Sequence, residues 1–214
     1  MPLKAIIFDF GGVLCHHPPQ EDVEGMAALW NLPPAEFLEH FWAHRLEYDR
    51  GDLTPEQYWA RFAASAGRPP VNGQMEEILR RDVGFWMHLQ TNMIAWTRIV
   101  KQAGYRTALL SNLPRTLGEH LLARCDFIKD FDHLTLSYEV RSAKPEERIY
   151  RHCLAGLGVA PAEAVFLDDR PNNIEAAQAL GIHGVLFETA HNFATGAGAQ
   201  LGLPGLDALY EAAS

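Results

Sequence analysis

Residues 3–14 read LKAIIFDFGGVL. From Leu3 to Phe10, apolar, β-branched and aromatic residues are interrupted only by Lys4 and Asp9, the composition of a short strand covered on both faces. The run ends in Asp9-Phe10-Gly11-Gly12, a carboxylate delivered into a glycine turn. Working outward, four more short runs have the same character: Arg106–Ser111, His133–Ser137, Ala164–Asp168 and Gly184–Phe187. Between them lie helical patterns such as LGEHLLAR (117–124), RIYRHCLAGLG (148–158) and NIEAAQALG (173–181). Strands alternating with helices predict an α/β fold, a parallel sheet with helices on both faces.

One segment breaks the alternation. From Pro18 to Leu89 only helical patterns and turn signals are found. EFLEHFWAHRLEYDR (36–50) predicts a helix closed by Gly51. Thr54, Pro55 and Gln57 predict a second, opened by a capping box with proline at its first position. Four of the five tryptophans (Trp30, Trp42, Trp59, Trp86) fall here. This predicts a helical insertion directly after the first strand, held by an aromatic core of its own. The expected organisation is a core from residues 1–17 and 90–214 with a helical cap from 18–89. A helix is also expected over Leu206–Ala213.

The chain has 214 residues, 48% of them hydrophobic, and a formal net charge of -9. That composition excludes a disordered or fibrous protein. The acidic balance argues against nucleic acid or an anionic membrane as partner, so an anionic ligand needs local cations to hold it. No apolar run is long enough to span a bilayer. Asp9 and Leu14 spoil the start as a lipoprotein-type signal. Three scattered cysteines, Cys15, Cys125 and Cys153, fit free thiols in a reducing compartment. A cytoplasmic protein is the expectation.

In a parallel sheet, ligands bind beyond the carboxyl ends of the strands. The first strand ends at Asp9, and the second in Ser111-Asn112. Lys144-Pro145-Glu146 follows the third, and the fourth ends in Asp168-Asp169-Arg170-Pro171-Asn172-Asn173. Each alone reads equally well as a turn or a helix cap. Together they supply a nucleophilic carboxylate, a hydroxyl, a fixed cation and an acidic pair, the parts of phosphoryl transfer through a carboxylate.

FDFGGVL (8–14), LLSN (109–112), AKPE (143–146) and FLDDRPNN (166–173) match in order and spacing the four motifs of the haloacid dehalogenase superfamily, which the chain resembles along nearly its whole length. The block EYDRGDLTPEQYW (47–59) resembles the helical caps of its small sugar-phosphate phosphatases and of the phosphatase half of bifunctional epoxide hydrolases. The resemblance implies a Rossmann-like core with an inserted cap, and Mg²⁺-dependent hydrolysis of a small phosphorylated metabolite. Asp9 would form an aspartyl-phosphate. The backbone N–H groups of Phe10, Gly11 and Asn112, the Ser111 hydroxyl and Lys144 would hold the phosphoryl oxygens. Asp9, the Gly11 carbonyl, Asp168 and Asp169 would hold the metal. Asp169 is the expected direct ligand, Asp168 either stands behind it in the metal's outer shell or orients Lys144, and Asn173 would tether a ligand-bearing loop.

The sequence departs from the family at Gly11, where phosphatases usually carry a second aspartate that protonates the leaving oxygen. Glycine cannot do acid–base work, which is commonly worth about 10²–10⁴-fold. Either the leaving group departs unaided, as from an anomeric, acyl or aryl phosphate, or another group supplies the proton. His16, His17, His44 and Glu47 are candidates. Two alternatives follow from the same glycine: a 2-haloacid dehalogenase, whose halide needs no proton, and a non-catalytic phosphate-ligand sensor. The acidic pair Asp168/Asp169 favours the phosphatase, because an anionic haloacid has no use for a cation site. Trp42, Arg50 and Trp86 are near enough to the motifs to line a pocket, but their helical spacing predicts that the tryptophans pack the cap's interior.

Overall fold

A computed structural model describes residues 2–68 and 73–210. Its centre is a five-stranded, wholly parallel sheet of order β3-β2-β1-β4-β5. The strands are β1 (Ala5–Phe8), β2 (Arg106–Ser111), β3 (His133–Leu136), β4 (Ala164–Asp168) and β5 (His183–Leu186). Every expected strand is present, β2 and β4 with the expected bounds. The first is shorter at both ends, although the Asp9 N–H still donates to the Leu167 carbonyl of β4 at 2.9 Å; the third ends one residue earlier, and the fifth begins one residue earlier. With β1 central, neighbouring connections leave to opposite sides, which opens a crevice at the carboxyl ends of β1, β2 and β4.

Five helices are inserted between β1 and the rest of the sheet: α1 (Gln20–Leu29), α2 (Pro34–Ala43), α3 (Arg45–Asp49), α4 (Pro55–Ser65) and α5 (Met75–Gly84). The chain returns through α6 (Thr91–Gln102). Then come α7 (Arg115–Arg124), α8 (Ser137–Val140), α9 (Glu147–Leu157), α10 (Pro171–Ala179), α11 (Ala190–Thr195) and α12 (Ala197–Gln200). A short 3₁₀ turn covers Leu206–Leu209 where a helix was expected, and residues 211–213 lie outside the described residues.

Local signals act as read at α4: Thr54 Oγ1 accepts from the Gln57 N–H at 3.2 Å, and the Gln57 side chain accepts from the Thr54 N–H at 2.9 Å. The expected single helix over 36–50 is instead two. His44 leaves the helical region (φ -123°, ψ 11°), and the redirected turn of α3 buries Arg45, Tyr48 and Asp49. Gly51 follows at φ +81°, the left-handed conformation expected of a helix-ending glycine.

The aromatic core of the insertion is not separate. Trp30, Phe37, Phe41, Trp59 and Phe62 belong to one connected cluster with Phe8, Phe10, Val165 and Leu167 of the sheet. Trp30 and Trp59 stack at 5.8 Å inside it. The two connections run side by side, with the His16 N–H donating to the His88 carbonyl (2.7 Å) and the Gln90 N–H to Leu14 (2.8 Å). Helix α3 is tied directly to the core. Ser137 Oγ donates to the Asp49 carbonyl at 2.5 Å, Arg50 Nη1 lies 2.8 Å from Glu146 Oε1, and the Tyr48 and Thr116 hydroxyls are 3.0 Å apart.

Candidate active site

Beyond the carboxyl ends of β1, β2 and β4 lies a cavity of about 490 Å³. Asp9, Phe10, Gly11, Ser111, Asn112, Lys144, Asp169 and Asn173 all line it. Residues separated by up to 164 positions in sequence thus meet because their strands are neighbours in the sheet. Asp168 lies just beneath, wholly buried.

Lys144 is the hub. Its ammonium sits 2.7 Å from Asp9 Oδ1 and 2.6 Å from Asp168 Oδ2, and it donates to the Leu110 carbonyl at 3.1 Å. The backbone of Lys144 is itself clamped: its N–H donates to Asn112 Oδ1 (2.8 Å) and its carbonyl accepts from Asn112 Nδ2 (2.9 Å). Asn112 therefore works through its side chain as well, which the sequence reading did not foresee. Asn173 Nδ2 donates to both oxygens of Asp168 (2.9 and 3.1 Å), and the Arg170 N–H adds a third bond at 2.9 Å. With both oxygens engaged, Asp168 is oriented towards the lysine. Asp169 stands on the cavity side, half-buried, with His17 Nε2 3.0 Å from its Oδ2.

Charge follows geometry. Burial raises the Asp9 carboxyl to about 7, opposed by Lys144 and reinforced by Asp168 and Asp169. Burial alone would lower the Lys144 ammonium, but Asp168 and Asp9 outweigh it and hold the amine protonated. Burial works against the charge on Asp169 too, and the hydrogen bond and charge of His17 overcome it. Asp9, Asp168 and Asp169 each offer an oxygen within 4.8 Å of the others. Lys144 pairs with Asp9 and Asp168 only, so the three clustered carboxylates leave an excess of negative charge, and an all-oxygen donor set of this kind fits a hard divalent cation such as Mg²⁺.

Gly12 is demanded by contact and backbone, and Gly11 is closely packed. Gly12 has φ +75°, and a Cβ there would lie 2.7 Å from the Asp169 carboxyl carbon. At Gly11 a Cβ would lie 3.1 Å from the indole of Trp86. The Phe10 N–H donates to Asp9 Oδ1 at 2.7 Å.

The insertion contributes Trp42, Arg45, Leu46, Asp49 and Trp86 to the cavity wall. Trp42 and Trp86 therefore both line the cavity; Trp86 also packs in the buried aromatic cluster as expected, whereas Trp42 does not. Trp42 is 40% exposed, with the Arg170 guanidinium over its ring at 5.3 Å. Arg50 does not line the cavity; it pairs with Asp52 and Glu146. Of the four expected acid–base candidates only His17 reaches the cavity. His44 and Glu47 pair with each other at 3.4 Å, Glu47 also takes Arg61 at 2.6 Å, and His16 lines a separate depression. Arg45 and Asp49 were missed, although their i, i+4 spacing within HRLEYDR carries the signal of a helical ion pair.

The sheet order and the cavity at its strand ends define a protein of the α/β class with a buried carboxylate–lysine site, and comparison with known proteins places it. Residues 3–181 match the haloacid dehalogenase-like hydrolase family, and the chain belongs to that family. It is 30% identical to the phosphorylated carbohydrates phosphatase of Thermotoga maritima, over 86% of this chain and 84% of that protein. It is 28% identical to a sesquiterpene phosphatase of Aspergillus oryzae, over 85% of this chain and 88% of that one. Two other relatives are much longer, and the chain spans 19% and 34% of their lengths. A haloacid dehalogenase family enzyme of Bacteroides thetaiotaomicron, solved with magnesium and inorganic phosphate, shares the fold at a TM-score of 0.72 and 24% identity, over 86% of this chain and 93% of that one. Among the described residues, no helix is long and apolar enough to cross a membrane.

Proposed function

We propose that this hydrolase is a Mg²⁺-dependent phosphomonoesterase of a small phosphorylated metabolite, with a sugar phosphate as the first class to test. The observation that carries the reading is the gathering of Asp9, Asp168 and Asp169 within 4.8 Å of one another at the strand ends, with the Lys144 ammonium between Asp9 and Asp168. Asp9 attacks phosphorus and becomes an aspartyl-phosphate, and water then releases phosphate. The Phe10, Gly11 and Asn112 N–H groups, Ser111 and Lys144 surround the transferring oxygens, with each such fixed donor commonly worth about 3 kcal/mol in the transition state. Mg²⁺ bound by Asp9, the Gly11 carbonyl and Asp169 would neutralise phosphoryl charge and act as a Lewis acid. Asp168 serves that site by fixing Lys144. Residues 18–89 act as a cap that excludes water and carries specificity through Trp42, Leu46 and Trp86.

The acidic excess argues against a haloacid substrate, whose own carboxylate it would repel. Retention of nucleophile, lysine and metal carboxylates together argues against a mere phosphate sensor. Three buried free thiols suit a cytoplasmic setting. The relatives named for carbohydrate and sesquiterpene phosphates support phosphoester chemistry and leave open which organic group is carried. The test is phosphate release with Mg²⁺ across paired sugar 1- and 6-phosphates, with Asp9→Asn as blank. Turnover requiring both Asp9 and the cation supports the reading; release equal to the blank on every ester rejects it.

A further inference from the structure

We infer that the Asp49 carboxyl is the acid–base group of this site, giving its proton to the departing ester oxygen and recovering one from the attacking water. The inference rests on the phosphomonoesterase reading above.

The first observation is at position 11. The family's usual acid would project from there, but the residue is glycine, and the Trp86 indole lies 3.1 Å from where a Cβ would be, so the place beside it is taken up by the indole. The second is the stereochemistry of displacement. Asp9 attacks from the strand end, and in-line transfer expels the leaving oxygen on the opposite side of phosphorus. The inserted helices, which bring Trp42, Leu46, Asp49 and Trp86 to the cavity wall, are the elements that can meet it there. Among the described residues, Asp9, Asp49 and Asp169 are the carboxylates lining the cavity. Asp9 is the nucleophile and Asp169 belongs to the cation site, whereas Asp49 comes to the cavity from the inserted helix α3.

The third observation is how Asp49 is held. Arg45 Nε donates to Asp49 Oδ1 at 2.8 Å, and Arg45 Nη1 donates to Asp82 Oδ1 at 2.7 Å. One guanidinium, 3% exposed, thus serves two buried carboxylates. Protonation relieves the excess negative charge, and of the two carboxyls Asp49 is the one at the cavity. The groups facing it are Arg45 and Tyr48 on its own helix, Tyr58 from α4, Asp82 from α5 and Arg170 from the turn after β4. Burial, opposed by Arg45 and reinforced by Asp82, pushes the Asp49 carboxyl up to about 6, a range suited to both giving and taking a proton near neutrality.

The steps balance. The Asp9 oxygen bonds to phosphorus as the bond from phosphorus to the ester oxygen breaks, and that oxygen leaves as an alcohol carrying the Asp49 proton. Water then bonds to phosphorus, its proton passes to the Asp49 carboxylate, and the bond from phosphorus to Asp9 breaks to give phosphate.

Comparing 4-nitrobenzyl phosphate with 4-nitrophenyl phosphate tests this, since the first must leave as a protonated alcohol and the second can leave as a phenolate. With Mg²⁺ present, Asp49→Asn is expected to lower kcat/KM for the benzyl ester by about 10²–10³-fold. The loss on the nitrophenyl ester should be at least tenfold smaller. Wild-type kcat/KM for the benzyl ester should show a descending alkaline limb, absent from Asp49→Asn and partly restored by Asp49→Glu. An equal loss on both esters overturns the inference, as does a leaving-group-selective loss in His17→Asn in place of Asp49→Asn. Wild-type enzyme inert towards both esters and towards the sugar phosphates removes the phosphatase reading and this inference with it. Wild-type turnover without selectivity in Asp49→Asn removes the inference alone.

Discussion

Gly12 shows how closely one residue governs the site. Its backbone is left-handed and its missing Cβ makes room for Asp169. Gly12→Ala should therefore cost about 1–2 kcal/mol in folding stability from the backbone alone. It should also displace Asp169, raising the Mg²⁺ concentration needed for half-maximal activity at least tenfold; thermal melts and a metal titration check the two effects. Asp9, Ser111, Lys144, Asp168 and Asp169 were legible because each follows a strand that sequence pattern identifies, and parallel topology gathers strand ends. Asp49 was not. Its meaning depends on Arg45 being shared with Asp82, 37 residues beyond Arg45, a contact that only the packing of α5 beside α3 creates.

At the scale of elements, α3 and α5 are joined by that buried triad. Removing its cation strands two carboxylates in the interior, so Arg45→Ala should destabilise by about 3–5 kcal/mol, and Arg45→Ala with Asp82→Ala by less, as denaturant unfolding would show. Asp49 behaves oppositely. Its folded-state pKa, near 6, lies above the ordinary carboxylate value, so the folded state binds more protons between about pH 4 and 6. Stability then falls as pH rises through that window, by up to ~3 kcal/mol for this group. Asp49→Asn should remove that fall and melt higher than wild type at pH 8 while losing activity, the pattern of a group kept for function. Equal or lower melting at pH 8 would contradict this. The break between α2 and α3 was illegible for a related reason. The apolar periodicity of EFLEHFWAHRLEYDR runs through His44, and only burial of Arg45 and Asp49 against distant partners favours the turn there.

For the whole molecule, strand existence and the long insertion could be read from apolar runs and turn signals, whereas the order β3-β2-β1-β4-β5 came from the structure. The continuity of the insertion's aromatic core with the sheet was equally hidden, because composition counts tryptophans without saying what they touch. A chain of net charge -9 that gathers three carboxylates at one point should gain from a divalent cation. Mg²⁺ at 100 times its dissociation constant should stabilise the fold by about 2.7 kcal/mol. Calorimetry with Mg²⁺ and with EDTA measures it, and Asp169→Asn should lose most of the gain. The central claim is that Asp9 takes the phosphoryl group. Its most direct test is rapid acid quenching during turnover of a phosphomonoester with Mg²⁺, followed by peptide mapping. The account predicts a phosphoryl group on the peptide containing Asp9, absent with EDTA and in Asp9→Asn; phosphate release that persists in Asp9→Asn, or turnover that never marks that peptide, would contradict it.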